Sequence, residues 1–221
     1  ELIGAADQLF VVGSFVVVGA CHVATVRHYQ ALWSSVCENR GMERIAVVGV
    51  SGSGKSTVAA AAAARLEYRY VELDSIHHLR GWEPIETARF REIITKIAAR
   101  TGWVIDGNYS MVQDIVFAAA DTIVWLDLPR RVVMPALARR TLMRMVRREE
   151  LWNGNRERFH TLFDRRPEQN ILLWSWTNHR PVSDRYRSLI DSSANVDQRW
   201  VRLRSRREIR GWLASLPEGN L

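Results

Sequence analysis

The sequence predicts an α/β fold of the three-layer P-loop NTPase type, and three observations carry that prediction. Gly49-Val50-Ser51-Gly52-Ser53-Gly54-Lys55-Ser56 fits the phosphate-loop pattern G-x-x-x-x-G-K-[ST], with Thr57 following. It lies between an apolar, β-branched segment, Ile45-Ala46-Val47-Val48, and an alanine-dominated run from Thr57 to Leu66. Strand, glycine loop and helix is the order the pattern needs. Beyond the loop, short apolar segments alternate with helical ones, which implies a parallel sheet covered on both faces.

Taken in order, Arg69-Tyr70-Val71-Glu72-Leu73 reads as a second strand running into Asp74. A polar stretch with Gly81 and Trp82 follows, and Pro84 suits the first turn of the next helix. Phe90, Ile93, Ile94 and Ile97 recur at helical spacing, and Gly102 closes that helix. Trp103-Val104-Ile105 is a third strand ending in Asp106, and Met111 to Ala120 a shorter helix. Thr122 to Leu126 is a fourth strand ending in Asp127. Pro129 opens a long arginine-rich helix with Pro135 near its start. Asn153 to Pro167 reads as a loop or broken helix, and Ile171 to Trp176 as helical. Trp200 to Leu203 makes a fifth strand, and Glu208 to Leu216 a final helix. Ligands of such sheets bind beyond the strand C-termini, where Asp74, Asp106 and Asp127 all fall.

At 221 residues, with 47% hydrophobic and 25% charged side chains, the chain suits one globular domain with an appended segment. The net charge is +7, and of the 31 basic residues only Lys55 and Lys96 are lysines. GC-rich coding accounts for much of that preference, but position is more telling. From Arg130 to Arg166 eleven arginines stand against Glu149, Glu150, Glu157 and Asp164, so this segment meets either phosphates or nucleic acid. Cys21 and Cys37 are the two cysteines; they form neither a disulfide framework nor a zinc cluster, which fits a reducing cytoplasm.

Residues 1–41 read as an extension outside the catalytic fold, with Met42 standing where a domain built around the loop could begin. Leu9 to Ala20 is apolar but shorter than the ~20 residues of a membrane span. It also lacks a basic leader, so no stable membrane insertion is expected; a helical packing or weakly membrane-associating element is the alternative. Residues 42–221 form the P-loop domain, which we expect to be monomeric.

The loop residues Gly49, Ser51, Gly52, Ser53, Gly54, Lys55, Ser56 and Thr57 are predicted to bind ATP. Their backbone N–H groups and the helix N-terminus receive the phosphates, Lys55 reaches the β- and γ-phosphates, and Ser56 ligates Mg²⁺. Asp106 is read as a second metal-supporting group, or else as a polar strand end. Asp74 is read as the carboxylate that takes a proton from an acceptor hydroxyl, with a helix or turn cap as the alternative. Arg140 and Arg144 share a helical face, with Arg147 and Arg148 one turn on. Like charges so placed repel at about 0.2–0.5 kcal/mol per pair, which a bridging anion would reverse. They are assigned to a lid over about 140–166 that closes on the transferring phosphoryl group; a solvated basic face is the alternative. Adjacent His77 and His78 suit the surface or an acceptor pocket better than a metal. Trp82, Trp174 and Trp176 could line a pocket, with core packing the default.

Several of these motifs together carry a resemblance. Gly49 to Thr57, Glu72-Leu73-Asp74, Asp106-Gly107-Asn108-Tyr109 and Glu150-Leu151-Trp152-Asn153-Gly154-Asn155-Arg156-Glu157 resemble the adenylate-kinase-related proteins called DNA topology modulation proteins, over roughly Met42 to Leu216. The resemblance implies the nucleoside-monophosphate-kinase fold, with a five-stranded parallel sheet of order 2-3-1-4-5 and a lid in the arginine-rich segment. In adenylate kinases the third strand leads into Asp-Gly-Phe-Pro-Arg, whose arginine grips the AMP phosphate. Here Asn108-Tyr109-Ser110 follows Asp106-Gly107, and Asp74-Ser75 stands where a Thr-Gly would be. An aspartate at that place is similar to shikimate- and gluconate-type kinases, whose acceptor is a hydroxyl. The expected activity is an ATP- and Mg²⁺-dependent transfer of phosphate to a small acceptor. The alternative is an ATP-binding protein associated with nucleic acid.

Overall fold

The computed structural model describes residues 42–157, 159–167, 169–192 and 198–218. The elements run β1 (Arg44–Gly49), α1 (Lys55–Leu66), β2 (Arg69–Glu72), α2 (Leu73–His77), α3 (Thr87–Ala98), β3 (Trp103–Asp106), α4 (Ser110–Ala119), β4 (Thr122–Leu126), α5 (Arg130–Val146), α6 (Ile171–Ser192), β5 (Arg199–Leu203) and α7 (Arg206–Ser215). Short 3₁₀ turns occupy Arg80–Trp82, Trp152–Gly154 and Phe159–Phe163. The five strands form one parallel sheet in the order β2-β3-β1-β4-β5. This is the order the sequence led us to expect.

Strand alternation divides the core into two. Along β1, Ile45 and Val47 join Val58, Ala59, Ala62 and Ala63 of α1 and Ile209 of α7. Ala46 and Val48 join Phe90 and Ile94 of α3, Val112 and Val116 of α4, and Tyr186 of α6. Ile45 and Val47 are fully buried, each contributing about 1.5–3 kcal/mol by leaving water. The alanines of α1 let that helix lie close on the sheet, which fixes the height of the loop preceding it.

Four boundaries differ from expectation, each for a local reason. Leu73 opens α2 instead of ending β2: it turns into the core while the Ser75 hydroxyl donates to the Glu72 carbonyl at 2.7 Å. Pro84 lies ahead of α3, bridged to His78 in a small hairpin closed by Leu79 N–H to Glu83 O (2.7 Å) and Ile85 N–H to His77 O (2.8 Å). Helix α3 ends at Ala98, and Gly102 instead makes the turn into β3 with φ 68°. Helix α6 runs far past Trp176, through Pro181. An internal proline costs a helix about 3 kcal/mol, and the buried Tyr186 and the Ser183–Asp127 hydrogen bond (2.7 Å) hold the continuation in place. Residues 1–41, with the apolar run Leu9 to Ala20, lie outside the described residues. No helix among the described residues is long and apolar enough to cross a membrane.

Candidate active site

Between β1 and α1 the chain turns on Gly52 and Gly54, both at positive φ (86° and 92°). A Cβ on Gly52 would stand 2.7 Å from Cβ of Leu137 on α5, so only glycine fits there. Ser53 N–H donates to Val50 O at 3.1 Å and tightens the loop. The buried Ser175 of α6 donates its hydroxyl to Ser51 O at 3.0 Å and fastens the loop from outside. Gly54 caps α1 with no side-chain acceptor, so the N–H groups of the first turn remain for an anion. Ser51, Lys55 and Ser56 line a cleft of about 1440 Å³, and Lys55 has no ion-pair partner among the described residues. Ser53 is instead fully buried and Thr57 is exposed.

Asp106 ends β3 and is 1% exposed. Its Oδ1 accepts from Tyr70 at 3.4 Å, whereas the buried Oδ2 has no partner. Burial pushes the Asp106 carboxyl up to about 6, against the pull of the Ser56 hydroxyl and the Lys55 ammonium; Glu72 and Asp74 add to the rise. An unsatisfied carboxylate oxygen beside the loop serine fits Mg²⁺, which takes one or two protein oxygens and completes its shell with waters and phosphates. The open backbone cradle and Lys55 fit a polyphosphate. Asn108 binds both sides of the Gly49 peptide: Oδ1 accepts from Gly49 N–H at 3.2 Å and Nδ2 donates to Gly49 O. The turn after β3 is thereby joined to the phosphate loop.

The opposite wall comes from β2, α2 and the hairpin after it. Glu72, Asp74, His78 and Trp82 line it, together with Tyr109. Asp74 sits in the first turn of α2 and accepts the Tyr109 hydroxyl at Oδ1, 2.7 Å away. Gly107, at φ 142°, lets the β3 turn pass Leu73; a Cβ there would meet that of Leu73 at 2.8 Å. His77 does not reach the cleft. It packs on Phe90 and Tyr109, while burial lowers the pKa values of both histidines.

The expected lid is joined to this wall. Trp152 Nε1–H donates to Glu72 Oε2 at 2.7 Å, and Asn153 Nδ2 donates to the carbonyls of His78 (2.5 Å) and Ser75 (3.4 Å). Asn155, 4% exposed, accepts at Oδ1 from Gly81 N–H (2.8 Å) and Trp82 N–H (3.0 Å), and donates from Nδ2 to Leu79 O (2.8 Å). The Trp-Asn-Gly-Asn turn is thus a clasp between two segments distant in sequence.

The arginines do not act alike. Arg140, Arg144 and Arg148 line the cleft, whereas Arg147 does not. Arg144 is already neutralised by Glu157 (3.4 Å) and Glu149 (3.8 Å), so the mutual repulsion expected from the sequence is relieved in part by carboxylates. Arg140 has no ion-pair partner among the described residues. Water reaches it through the cleft, yet protein surrounds it: burial and the neighbouring Arg144 lower its pKa, while a guanidinium stays charged at neutral pH. Asp127 binds Ser183 and Arg202 and does not line the cleft. Trp82 and Trp174 line the cleft, and Trp176 is exposed with Arg130 over its ring at 4.4 Å. The core-packing default is corrected for all three. Glu72, Asn108, Tyr109 and Asn155 are not among the residues expected at the site; their signal lies in three of the motifs quoted for the resemblance, through the hydrogen-bonding capacity of those side chains.

No protein-family model matches the chain, and no curated protein matches it. Among solved structures it is similar to shikimate kinase from Acinetobacter baumannii in complex with shikimate, at 15% identity and TM-score 0.48, covering 81% of this chain and 93% of that one. It is also similar to shikimate kinase from Bacteroides thetaiotaomicron (13%, 0.47, 78% and 94%) and to a gluconokinase from Sinorhizobium meliloti (20%, 0.44, 79% and 93%). At these values the fold assignment rests on the strand order and the phosphate loop themselves.

Proposed function

We propose that the chain is an ATP- and Mg²⁺-dependent phosphotransferase acting on a hydroxyl of a small acceptor. One observation carries the reading: Lys55 and Ser56 on one wall and Asp74 on the other open into the same cleft, with Asp106 buried behind them. Lys55 would hold the β- and γ-phosphate oxygens, and the unpaired Arg140 would meet the charge that spreads over the transferring group. Ser56 and Asp106 would hold Mg²⁺, which would supply positive charge to neutralise the polyphosphate. As the acceptor oxygen bonds to the γ-phosphorus, its proton passes to Asp74, and the bond to the bridging oxygen breaks to leave ADP. Glu72 and Asp74 side by side would repel an acceptor phosphate, which favours a hydroxyl over a nucleoside monophosphate. Arg144, Arg156 and Arg166 are paired with carboxylates of their own segment, which weakens the nucleic-acid alternative. We also read the motifs around Asp106 and Asn155 as kinship with the DNA topology modulation proteins.

The test is an ATP-consumption screen across hydroxylated metabolites and nucleoside monophosphates, with products identified by ³¹P NMR. Turnover with monophosphates alone would overturn the hydroxyl reading. No turnover above that of Lys55→Ala with any acceptor would overturn the kinase reading.

A further inference from the structure

Tyr109 has one proton and two neighbours that could take it. Asp74 Oδ1 lies 2.7 Å from its hydroxyl and His78 Nε2 lies 3.2 Å away. A phenol donates once and accepts readily, and a neutral imidazole carries one N–H and one bare nitrogen. The shorter contact and the negative acceptor assign the phenol proton to Asp74. The His78 contact must then run the other way, with Nε2–H donating to the phenol oxygen. His78 Nδ1 is consistent with that: it is buried and has no partner, a poor place for a second N–H. The ring of Tyr109 is itself held between His77 (centroids 4.3 Å) and Phe90 (5.5 Å). Asp74 Oδ2 has no hydrogen-bond partner among the described residues and stands at the cleft wall.

We infer that Tyr109 is the positioning residue of the acceptor site, holding Asp74 in one rotamer through a directed chain His78 Nε2–H to Tyr109 O, Tyr109 O–H to Asp74 Oδ1, so that Oδ2 alone meets the acceptor. Its catalytic meaning rests on the proposed kinase reading; the directed chain does not. The other charged groups facing Asp74 are Glu72 from β2, Asp106 from β3 and Arg140 from α5. None of them reaches Asp74 with a hydrogen bond among the described residues.

The test needs no acceptor. In the ¹⁵N-labelled full chain at pH 8, where burial keeps His78 neutral, the ring shifts report the tautomer, and the Hα–Hβ couplings of Asp74 report its rotamer. The expected result is protonated Nε2, bare Nδ1 and two distinct couplings. In Tyr109→Phe, which keeps the packed ring and removes only the hydroxyl, the couplings collapse toward a rotamer average and the His78 shifts toward a tautomer average. An Nδ1–H tautomer in the wild type overturns the direction of the chain. Asp74 couplings unchanged in Tyr109→Phe overturn the positioning role. A blank acceptor screen would remove the kinase reading while leaving both measurements as they are, so the two failures are separable.

Discussion

Glu72 and Asp106 are register partners on the paired strands β2 and β3, two carboxylates side by side at the same level of the sheet. Their surroundings divide their roles. Glu72 receives the Trp152 indole N–H, whereas Asp106 keeps a buried oxygen with no partner. One carboxylate is satisfied within the protein, and the other is left under strain.

That strain sets a pH dependence. With its carboxyl raised to about 6, Asp106 holds a proton in the folded chain that the unfolded chain releases near pH 4. Stability of the metal-free protein therefore falls as pH rises from about 4 to 6, by on the order of 3 kcal/mol at most, and stays lowered above. Asp106→Asn should raise denaturant resistance at pH 7 relative to wild type and do little at pH 4, while abolishing the response to Mg²⁺. Equal effects at both pH values would show that Asp106 is not the strained group. Affinity for ATP with Mg²⁺ should weaken as pH drops through about 6.

Lys55→Ala should lower turnover at least about 10²-fold, the scale for removing one charge-stabilising donor. The side chain faces the cleft with no ion-pair partner among the described residues, so the melting temperature should barely move. A folded mutant with near-normal turnover would remove the phosphate loop from the mechanism.

Arg140 and Arg144 should separate cleanly. Arg140→Ala removes an unpaired cation and should slow turnover by about 10²-fold or more with stability intact. Arg144→Ala leaves Glu157, whose Oε2 is already buried without a partner, with no ion-pair partner among the described residues. It should cost about 1–3 kcal/mol of stability, discounted for partial exposure. Unfolding curves and kinetics on the two variants check this; loss of stability in Arg140→Ala would contradict the division.

Asn155→Ala should undo the clasp. Gly81 N–H loses its partner, while Trp82 N–H and Leu79 O keep only the 3.2 Å bond to each other, each lost bond being worth about 1 kcal/mol. Hydrogen exchange at Gly81 and Trp82 should speed up by at least about 10-fold, with the sheet amides unaffected. Unchanged exchange at those two amides would mean the hairpin holds itself.

What the sequence disclosed was what neighbouring residues decide. Strand, glycine loop and helix follow from a β-branched run, three glycines and a block of alanines, so β1, α1 and the loop were legible. So was Asp106, the aspartate that ends β3. Tyr109 and Asn155 were not, because each acts on partners tens of residues away, and a tyrosine or an asparagine alone does not announce where its hydrogen bonds go. Helix α6 continues past its expected end at Trp176 for the opposite reason, through Pro181. Its local rule favours a break, and burial of Tyr186 together with the Ser183–Asp127 contact overrides it.

The Asn155 amide recognises only main-chain atoms, those of Leu79, Gly81 and Trp82. The fastening therefore constrains how many residues lie between those atoms and says little about which side chains they carry. A wall held in this way can be re-tooled: substitution at Arg80 would recast the shape and charge that the cleft wall presents without disturbing the hold. A single-residue insertion in the same hairpin would break it. Variation in substrate preference among related chains should thus run through residue identity at fixed length, and inserted or deleted residues should be excluded from this hairpin.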